Sequence, residues 1–356
     1  MTMRSAGPKL MRWINVGVIL LTLLSYLAPV TNPNAFWPLA FMGLIFPLLL
    51  FANILFILWW AFRRHWYAFF SVGCLLVGWS NVQGALELRF GGALKPGAAK
   101  NALTLMTFNA HEFKGIGKQR FSQKTFTDLL RAQKPDVLCF QEFPLDAGSA
   151  KRHADLLAET AGLRYSYQEK GGTLAIFSRY PIGRKGANYF TNRANGFLFA
   201  DLDIGGKSVR VFNLHLQTNA ISKITEKIDP TDVNLQDRET WQSFGGVLRR
   251  YKRSAQTRAR QAIAIAEAIK KSPFPVLVCG DFNDVPMSFS THTIGEGLQD
   301  AFKCKGSGRG VTYAGNIPGL RIDYLLVSSD FEVLDFQTLR MGLSDHYPLV
   351  TRVAPK

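Results

Sequence analysis

The first quarter of the chain is almost continuously hydrophobic. Residues 13–62 contain no Asp, Glu, Lys or Arg, and a second uncharged stretch covers Trp66 to Leu86. A helix needs about 20 mostly apolar residues to cross a bilayer. The first stretch is too long for one span, and it is interrupted by prolines between residues 29 and 38. The pattern therefore predicts three membrane-spanning helices, over Trp13–Ala28, Phe36–Phe62 and Trp66–Asn81.

The charges that flank these stretches predict an orientation in the membrane. Basic residues precede the first predicted span and join the second to the third: Arg4, Lys9, Arg12, Arg63 and Arg64. Positive residues stay on the cytoplasmic side of membrane proteins. We therefore expect a multi-pass membrane protein whose carboxyl-terminal part is extracytoplasmic. A cleaved signal peptide over residues 1–30 is the alternative, but it explains only the first uncharged stretch.

After a glycine- and alanine-rich segment the pattern changes to short apolar runs of strand length, separated by amphipathic helical segments. The predicted strands are Leu103–Asn109, Val137–Gln141, Leu174–Ser178, Gly196–Ile204, Val209–His215, Val276–Cys279, Arg321–Val327 and Phe331–Leu339. The predicted helices are Phe126–Ala132, Ala154–Ala161 and Glu239–Lys271. This alternation predicts an α/β or α+β domain. We expect a membrane domain over residues 1–82, a linker over 83–102 and a third domain over 103–356.

Polar residues lie at the carboxyl ends of these strands or in the loops just after them. They are Asn109, Glu142, His215, Asp281, Asn283, Asp345 and His346. Each by itself has an ordinary explanation, such as a turn cap, an Asx turn, a solvated acid or a satisfied histidine. Functional sites of α/β proteins collect at such strand ends. The repetition therefore predicts one convergent site.

The side chains of this set suit metal-assisted hydrolysis. Carboxylate and amide oxygens are ligands for Mg²⁺ or Mn²⁺, and the sequence has no HExxH motif or Cys/His spacing typical of zinc. Histidine titrates near neutral pH, and Asp323 could orient His346 or instead pair with Arg321. With a metal to neutralise phosphoryl oxygens and a His–Asp pair to activate water, such a site could hydrolyse a phosphate ester.

Seven segments occur in the order seen in the endonuclease/exonuclease/phosphatase superfamily. They are TFNAHEF, LCFQEF, GGTLAIFSRYPI, FNLHLQTN, CGDFND, RIDYLLV and SDHYPLV. The chain resembles this superfamily over about residues 103–353. The resemblance implies a four-layer α/β/β/α sandwich with two packed mixed sheets, here preceded by the three predicted transmembrane helices. It also implies a Mg²⁺-dependent phosphoesterase, with Mn²⁺ as an alternative ion.

The resemblance also implies roles for individual residues. On the metal side it implies Glu142, Asn109 and Asp345. For catalysis it implies Asp281 and Asn283, which orient water and contact phosphate, His215 as a phosphate contact, and His346 paired with Asp323. The repair nucleases of the superfamily commonly have Asp two residues after the first Asn, and His111 stands there in this chain. This departure argues against cleavage of DNA at abasic sites.

Charge narrows the class of partner. The chain has 42 Lys and Arg against 26 Asp and Glu, a formal charge of +16. This excess predicts an anionic partner: nucleic acid, a phospholipid head group or another phosphate ester. The basic segment 249–260 is either a solvated helix face or a contact for nucleic acid or lipid. The alternative to an enzyme is a non-catalytic membrane adaptor that binds an anionic partner. No protein partner is inferable.

Overall fold

Five helices form the amino-terminal part of the computed structural model, which describes residues 6–87, 102–117, 119–191, 193–218, 238–315 and 319–356. They are α1 (Ala6–Ser25), α2 (Pro33–Phe36), α3 (Pro38–Phe62), α4 (Ala68–Val77) and α5 (Trp79–Ala85). We call them the helical unit. Most of the predicted linker, residues 88–101, lies outside the described residues. The division of the chain at residues 82 and 102 therefore stays a prediction.

The prediction of three membrane spans, and with it the multi-pass topology, is not supported. Within the described residues α3 alone is long and apolar enough to cross a membrane. The helix α1 contains Lys9 and Arg12 in its first turns. The third predicted span is divided at Gly78 into helices of 10 and 7 residues. Ten helical residues extend about 15 Å, half the thickness of the hydrocarbon core.

The helical unit has buried hydrogen bonds between its helices and an apolar outer surface. Asn15 donates to the Ser71 hydroxyl at 2.8 Å and accepts from Trp60 Nε1 at 2.9 Å, so it joins α1 to α3 and α4. On the outside, the exposed large hydrophobic side chains of the described residues lie between residues 10 and 79, with the exceptions of Leu145, Tyr165 and Ile263. We call this surface the apolar belt. An exposed apolar surface of this extent marks contact with lipid or with another protein.

The carboxyl-terminal domain contains two mixed six-stranded sheets. One has the strand order β11-β12-β1-β2-β4-β3 and the other β5-β6-β7-β8-β10-β9. The strands are β1 (Leu103–Asn109), β2 (Val137–Gln141), β3 (Tyr165–Gln168), β4 (Ala175–Ser178), β5 (Ile182–Tyr189), β6 (Gly196–Ile204), β7 (Lys207–His215), β8 (Val276–Asp281), β9 (Gln299–Asp300), β10 (Asp323–Val327), β11 (Phe331–Thr338) and β12 (Leu349–Pro355).

Helices cover the outer face of each sheet, so the domain has four layers. Against the first sheet lie α6 (Gln123–Gln133) and α7 (Ala147–Ala161), and against the second lie α8 (Arg238–Lys270) and α9 (Phe289–Gly295). A further short helix, α10, covers Ala301–Lys305. The side chains of both sheets that point inward form one continuous apolar core. The α/β sandwich of two packed mixed sheets is therefore confirmed.

The sheet topology brings four strand ends together. In the first sheet β1 and β2 are parallel, with Asn109 beside Gln141. In the second sheet β7 and β8 are parallel, with His215 beside Asp281. The two pairs face each other across the core, where β8 contacts both β1 and β2. The carboxyl ends of all four strands thus open on the same edge of the sandwich.

Candidate active site

The carboxylate of Asp281 lies at the centre of this edge. Asn109 Nδ2 donates to Asp281 Oδ2 at 3.0 Å and lies 3.4 Å from Glu142 Oε1. Nε2 of His215 lies 3.6 Å from Asp281 Oδ2 and 3.9 Å from Glu142 Oε1. Four of the predicted site residues, taken from both sheets, are therefore in mutual contact.

Asn283 is fixed to Asp281 by a tight local turn. It has a left-handed backbone with a φ of 52°, a conformation that asparagine tolerates better than most residues. Its backbone N–H donates to Asp281 Oδ1 at 2.8 Å, and its Nδ2 donates to Asp281 Oδ2 at 3.1 Å and to the Leu216 carbonyl at 3.0 Å. The predicted Asx turn and the predicted site residue are thus the same feature.

His346 is paired with Asp323. Its Nδ1 lies 2.9 Å from Asp323 Oδ2, while its Nε2 lies 3.8 Å from Asp281 Oδ2. Asp323 begins β10 directly opposite Asp281 in the antiparallel register. The alternative partner of Asp323, Arg321, instead donates to Asp300 at 2.6 Å. Of the two partners considered for Asp323, the structure favours the histidine.

Burial and charge perturb the titration of this pair and of its neighbour. Burial raises the pKa of Asp281 to about 6, an effect that the nearby His346 opposes. For His346 burial alone would lower the pKa, but the carboxylates of Asp323 and Asp281 outweigh it and raise the pKa to about 10. At neutral pH the imidazole is therefore protonated and Asp281 is ionised.

The donor set fits a hard divalent cation. Glu142 and Asp281 present carboxylate oxygens to one space, the ligand type that Mg²⁺ and Mn²⁺ prefer. Asn109 faces both carboxylates with its Nδ2, and its Oδ1 accepts from the His111 N–H at 3.2 Å. Neither ring nitrogen of the buried His215 has a hydrogen-bond partner among the described residues, and such buried groups call for an explanation. Ligand atoms of Asp281, Asp323 and His346 also lie within 4.8 Å of one another. Because Nδ1 of His346 is already engaged by Asp323, we interpret that trio as a hydrogen-bonded group.

Asp345 lies at the side of the cluster. Its Oδ1 accepts from the Ser344 hydroxyl at 3.1 Å and lies 3.5 Å from His111 Nδ1. The structure thus places this predicted metal-side carboxylate next to His111, the residue that departs from the superfamily pattern.

Comparison with known families identifies the family of the carboxyl-terminal domain. The model of the endonuclease/exonuclease/phosphatase family matches residues 106–346, about two thirds of the chain. The chain belongs to the endonuclease/exonuclease/phosphatase family. Residues 8–84 match a second model, described as a domain of unknown function (DUF8431). No curated protein sequence matches the chain.

Solved structures of this family share the fold at low sequence identity. The endonuclease/exonuclease/phosphatase from Beutenbergia cavernae is 18% identical with a TM-score of 0.52, over 72% of each chain. TDP2 of D. rerio, complexed with single-strand DNA product, is 15% identical with a TM-score of 0.50, over 72% of this chain and 100% of that one. A Bacteroides thetaiotaomicron family protein is 16% identical with a TM-score of 0.50, over 71% and 94%.

Strained backbone is concentrated around the site of this family member. Glu142 and Asn283 have positive φ values, and so do the three consecutive residues His111–Phe113. Left-handed backbone at residues other than glycine costs about 1–3 kcal/mol and clusters at functional sites. Glu112 N–H donates to the Glu142 carbonyl at 2.9 Å, which ties the strained segment to the predicted metal side. Apart from the departure at His111, nothing in the sequence indicated this segment.

Sequence reasoning also missed a buried ion pair beside the site. Arg258, in the basic segment of α8, is fully buried, and its Nε lies 2.9 Å from Asp284 Oδ2. Asp284 directly follows Asn283. The other arginines of the segment are exposed: Arg249, Arg250, Arg253 and Arg260. The segment therefore has two faces, and the arginine on its inner face pairs with the loop that follows Asp281.

Replacing Arg258 by methionine is expected to destabilise the protein by about 3–5 kcal/mol, because the Asp284 carboxylate would remain buried without a partner. Arg253→Met, on the exposed face of the same helix, should change stability by less than about 0.5 kcal/mol. Unfolding of the full chain in detergent micelles measures both. Equal stability of the two variants would contradict the structural role of the pair.

Proposed function

We propose that the chain is a divalent-metal-dependent phosphoesterase whose catalytic domain covers residues 103–356. The observation that carries this proposal is the convergence on Asp281 of Asn109, His215 and His346, which come from both sheets. Glu142 joins this group through His215, at 3.9 Å. A decayed, purely binding domain would have no need of a buried carboxylate surrounded by two imidazoles. The adaptor alternative therefore has less support.

The residues proposed for the metal side are Glu142 and Asn109, with Asp345 beside them. A bound Mg²⁺ or Mn²⁺ would neutralise charge on the phosphoryl oxygens. The ring nitrogens of the buried His215 have no hydrogen-bond partner among the described residues, which supports its proposed role as a hydrogen-bond donor to phosphate. Asn283 holds the Asp281 carboxylate in one orientation through two hydrogen bonds.

The raised pKa of His346 changes the role that the sequence predicted for the His–Asp pair. With a pKa of about 10 the imidazole carries its proton at neutral pH, so it is suited to donate from Nε2 toward developing negative charge. Asp281, with a pKa of about 6, is ionised at that pH. We therefore assign the acceptance of a proton from water to Asp281, and the fixing of the imidazolium to Asp323.

The affinity for metal should depend on pH through Asp281. Above its pKa of about 6 the carboxylate is charged and attracts a cation, and below it the charge is lost. Affinity for Mn²⁺ is therefore expected to rise from roughly pH 5 to pH 7. Mn²⁺ binding to the full chain at several pH values measures it. Affinity that is constant over this interval would contradict the assigned state of Asp281.

We further propose that α3 crosses a membrane and carries the catalytic domain at its surface. The apolar belt supplies a surface for lipid. Nη2 of Arg12 lies 3.3 Å from His65 Nε2, so the start of α1 and the end of α3 share one end of the helical unit, which is rich in basic residues. Tyr251 of the catalytic domain donates to the Ala40 carbonyl at the other end. The predicted extracytoplasmic position of the catalytic domain depends on a further crossing of the membrane after α3, so it stays a prediction.

The proposed substrate is an anionic phosphate ester: nucleic acid, nucleotide, or lipid or inositol phosphate. The common fold with TDP2, which is described in complex with single-strand DNA product, is a reason to include DNA. The test is a substrate panel for the full chain in micelles: plasmid DNA, single-stranded DNA, inositol phosphates and phospholipids. Each is measured with Mg²⁺ and with EDTA. We expect EDTA-sensitive hydrolysis of at least one. Binding without hydrolysis across the panel would favour the adaptor.

A further inference from the structure

The loop that follows Asp281 lies against the helical unit. We call residues 282–287 the junction loop; Asn283 is near its start and Met287 ends it. The side chain of Met287 is 2% exposed and packs with Phe46, Leu50 and Val82 of the helical unit. Residues from the two parts of the chain thus form one apolar cluster, four residues from Asn283.

Two glycines of the helical unit allow this close approach. A Cβ atom at Gly43 in α3 would lie 2.1 Å from the backbone oxygen of Met287. A Cβ atom at Gly84 in α5 would lie 3.2 Å from Cβ of Pro286. The first distance is shorter than any van der Waals contact, and the atom it meets is backbone. A side chain at Gly43 must therefore displace either the loop or the helix.

The catalytic domain holds the junction loop from the other side. Arg258 of α8 is paired with Asp284 at 2.9 Å, and the Tyr324 hydroxyl donates to the Asp284 carbonyl at 2.9 Å. The Thr291 hydroxyl donates to the Val285 carbonyl at 3.1 Å. Contacts from α8, β10 and α9 therefore meet those of the helical unit on this one loop.

The helix α8 is itself attached to the helical unit. Besides the Tyr251–Ala40 hydrogen bond of 2.7 Å, Asn34 donates to the Gln256 carbonyl at 3.3 Å, and Lys252 lies 5.9 Å from the ring centre of Trp37. The helical unit thus reaches the junction loop by two routes, directly through Gly43 and indirectly through α8.

We propose that the helical unit positions the active site by holding the junction loop, and that Gly43 and Met287 are positioning residues for Asn283 and Asp281. This inference rests on the proposed function. Phe282, Asn283, Asp284, Val285 and Met287 are all buried, and a packed segment cannot absorb a displacement at one end. A membrane anchor alone would require only a covalent connection. The packing at Gly43 gives the helical unit a second role in the geometry of the site.

The test compares two glycine-to-leucine variants of the full chain in detergent micelles. Gly43→Leu forces a side chain against Met287, whereas Gly17→Leu, in α1, enters space with no atom within 4 Å of its Cβ. Hydrogen exchange of peptides over residues 281–290 is the direct measurement. We expect much faster exchange in Gly43→Leu and unchanged exchange in Gly17→Leu. We also expect kcat to fall by about 100-fold in Gly43→Leu with little change in KM, because misplacement by 1 Å has that effect.

The outcomes separate this inference from the proposed function. Unchanged exchange over residues 281–290 in Gly43→Leu would overturn the inference whatever the activity. If no substrate is hydrolysed by the unmodified chain but exchange responds to Gly43→Leu, the proposed function fails and the structural contact stands. If Gly43→Leu does not fold, Gly84→Ala is the variant to use, because its added methyl group meets Pro286 at the longer distance of 3.2 Å. Its loop exchange should then exceed that of the unmodified protein, and equality would count against the inference.

Discussion

Replacing His346 by alanine is expected to lower kcat by about 10²–10⁴-fold, the usual contribution of a group that moves or holds a proton in the transition state. The imidazole lies 2.9 Å from Asp323 and 3.8 Å from Asp281. It carries a positive charge at neutral pH because of these two carboxylates. The variant loses that charge next to the reacting phosphate, so KM should change less than kcat.

His292→Ala is the matched control, because His292 is exposed at the surface of α9. Its kcat should equal that of the unmodified protein on whichever substrate the panel identifies. Asp323→Asn adds a graded test: the imidazole remains but loses its charged partner, so kcat should fall by less than in His346→Ala. Turnover in His346→Ala within threefold of the control would remove His346 from the mechanism.

The strand ends were predictable because two physical regularities coincide there. Asn109 and His215 each terminate an apolar strand, and the carboxyl ends of parallel strands lie on one edge of a sheet. The motifs around Asp281 and His346 placed those residues in the same site through resemblance to a family. Neither regularity predicts that the two sheets pack face to face. The contact between Asn109 and Asp281 depends on that packing.

The rest of the site depends on packing between distant segments. In the sequence, nothing distinguishes Arg258 from the exposed arginines around it. Its burial becomes evident only in the structure, where it pairs with Asp284. Likewise the apolar stretch over Trp66–Asn81 has the composition of a membrane span. The helix breaks at Gly78, and hydropathy does not predict such a break in the backbone. Composition predicted hydrophobic stretches of membrane-spanning length, but not which helix has the length to cross a membrane.

The contact between the helical unit and the junction loop could not be predicted from the sequence either, because it also depends on packing between distant segments. Gly43 lies within an apolar stretch, where a glycine usually weakens a helix without any further meaning. Its role becomes evident when the Met287 carbonyl is found against it. Residues far apart in the sequence therefore determine the position of Asn283.

Replacing Glu142 by glutamine should abolish most metal activation while the fold is retained. Glutamine keeps the size of the side chain and can still accept from Asn109 Nδ2, 3.4 Å from Oε1, but it removes a negative charge from the proposed metal side. Even residues that only support a metal ligand change affinity by about 10–100-fold. The Mg²⁺ concentration for half-maximal activity should therefore rise by more than about 100-fold.

Glu159→Gln, at an exposed position of α7, is the matched control and should have the metal dependence of the unmodified protein. Mn²⁺ binding measured without substrate separates a loss of metal affinity from a loss of turnover. Thermal unfolding should be unchanged in both variants, because the Glu142 side chain is 34% exposed and makes no buried ion pair with a Lys or Arg among the described residues. If Glu142→Gln binds Mn²⁺ as the unmodified protein does, the proposed metal side is wrong. The carboxylates of Asp281 and Asp323 would then be the remaining candidates.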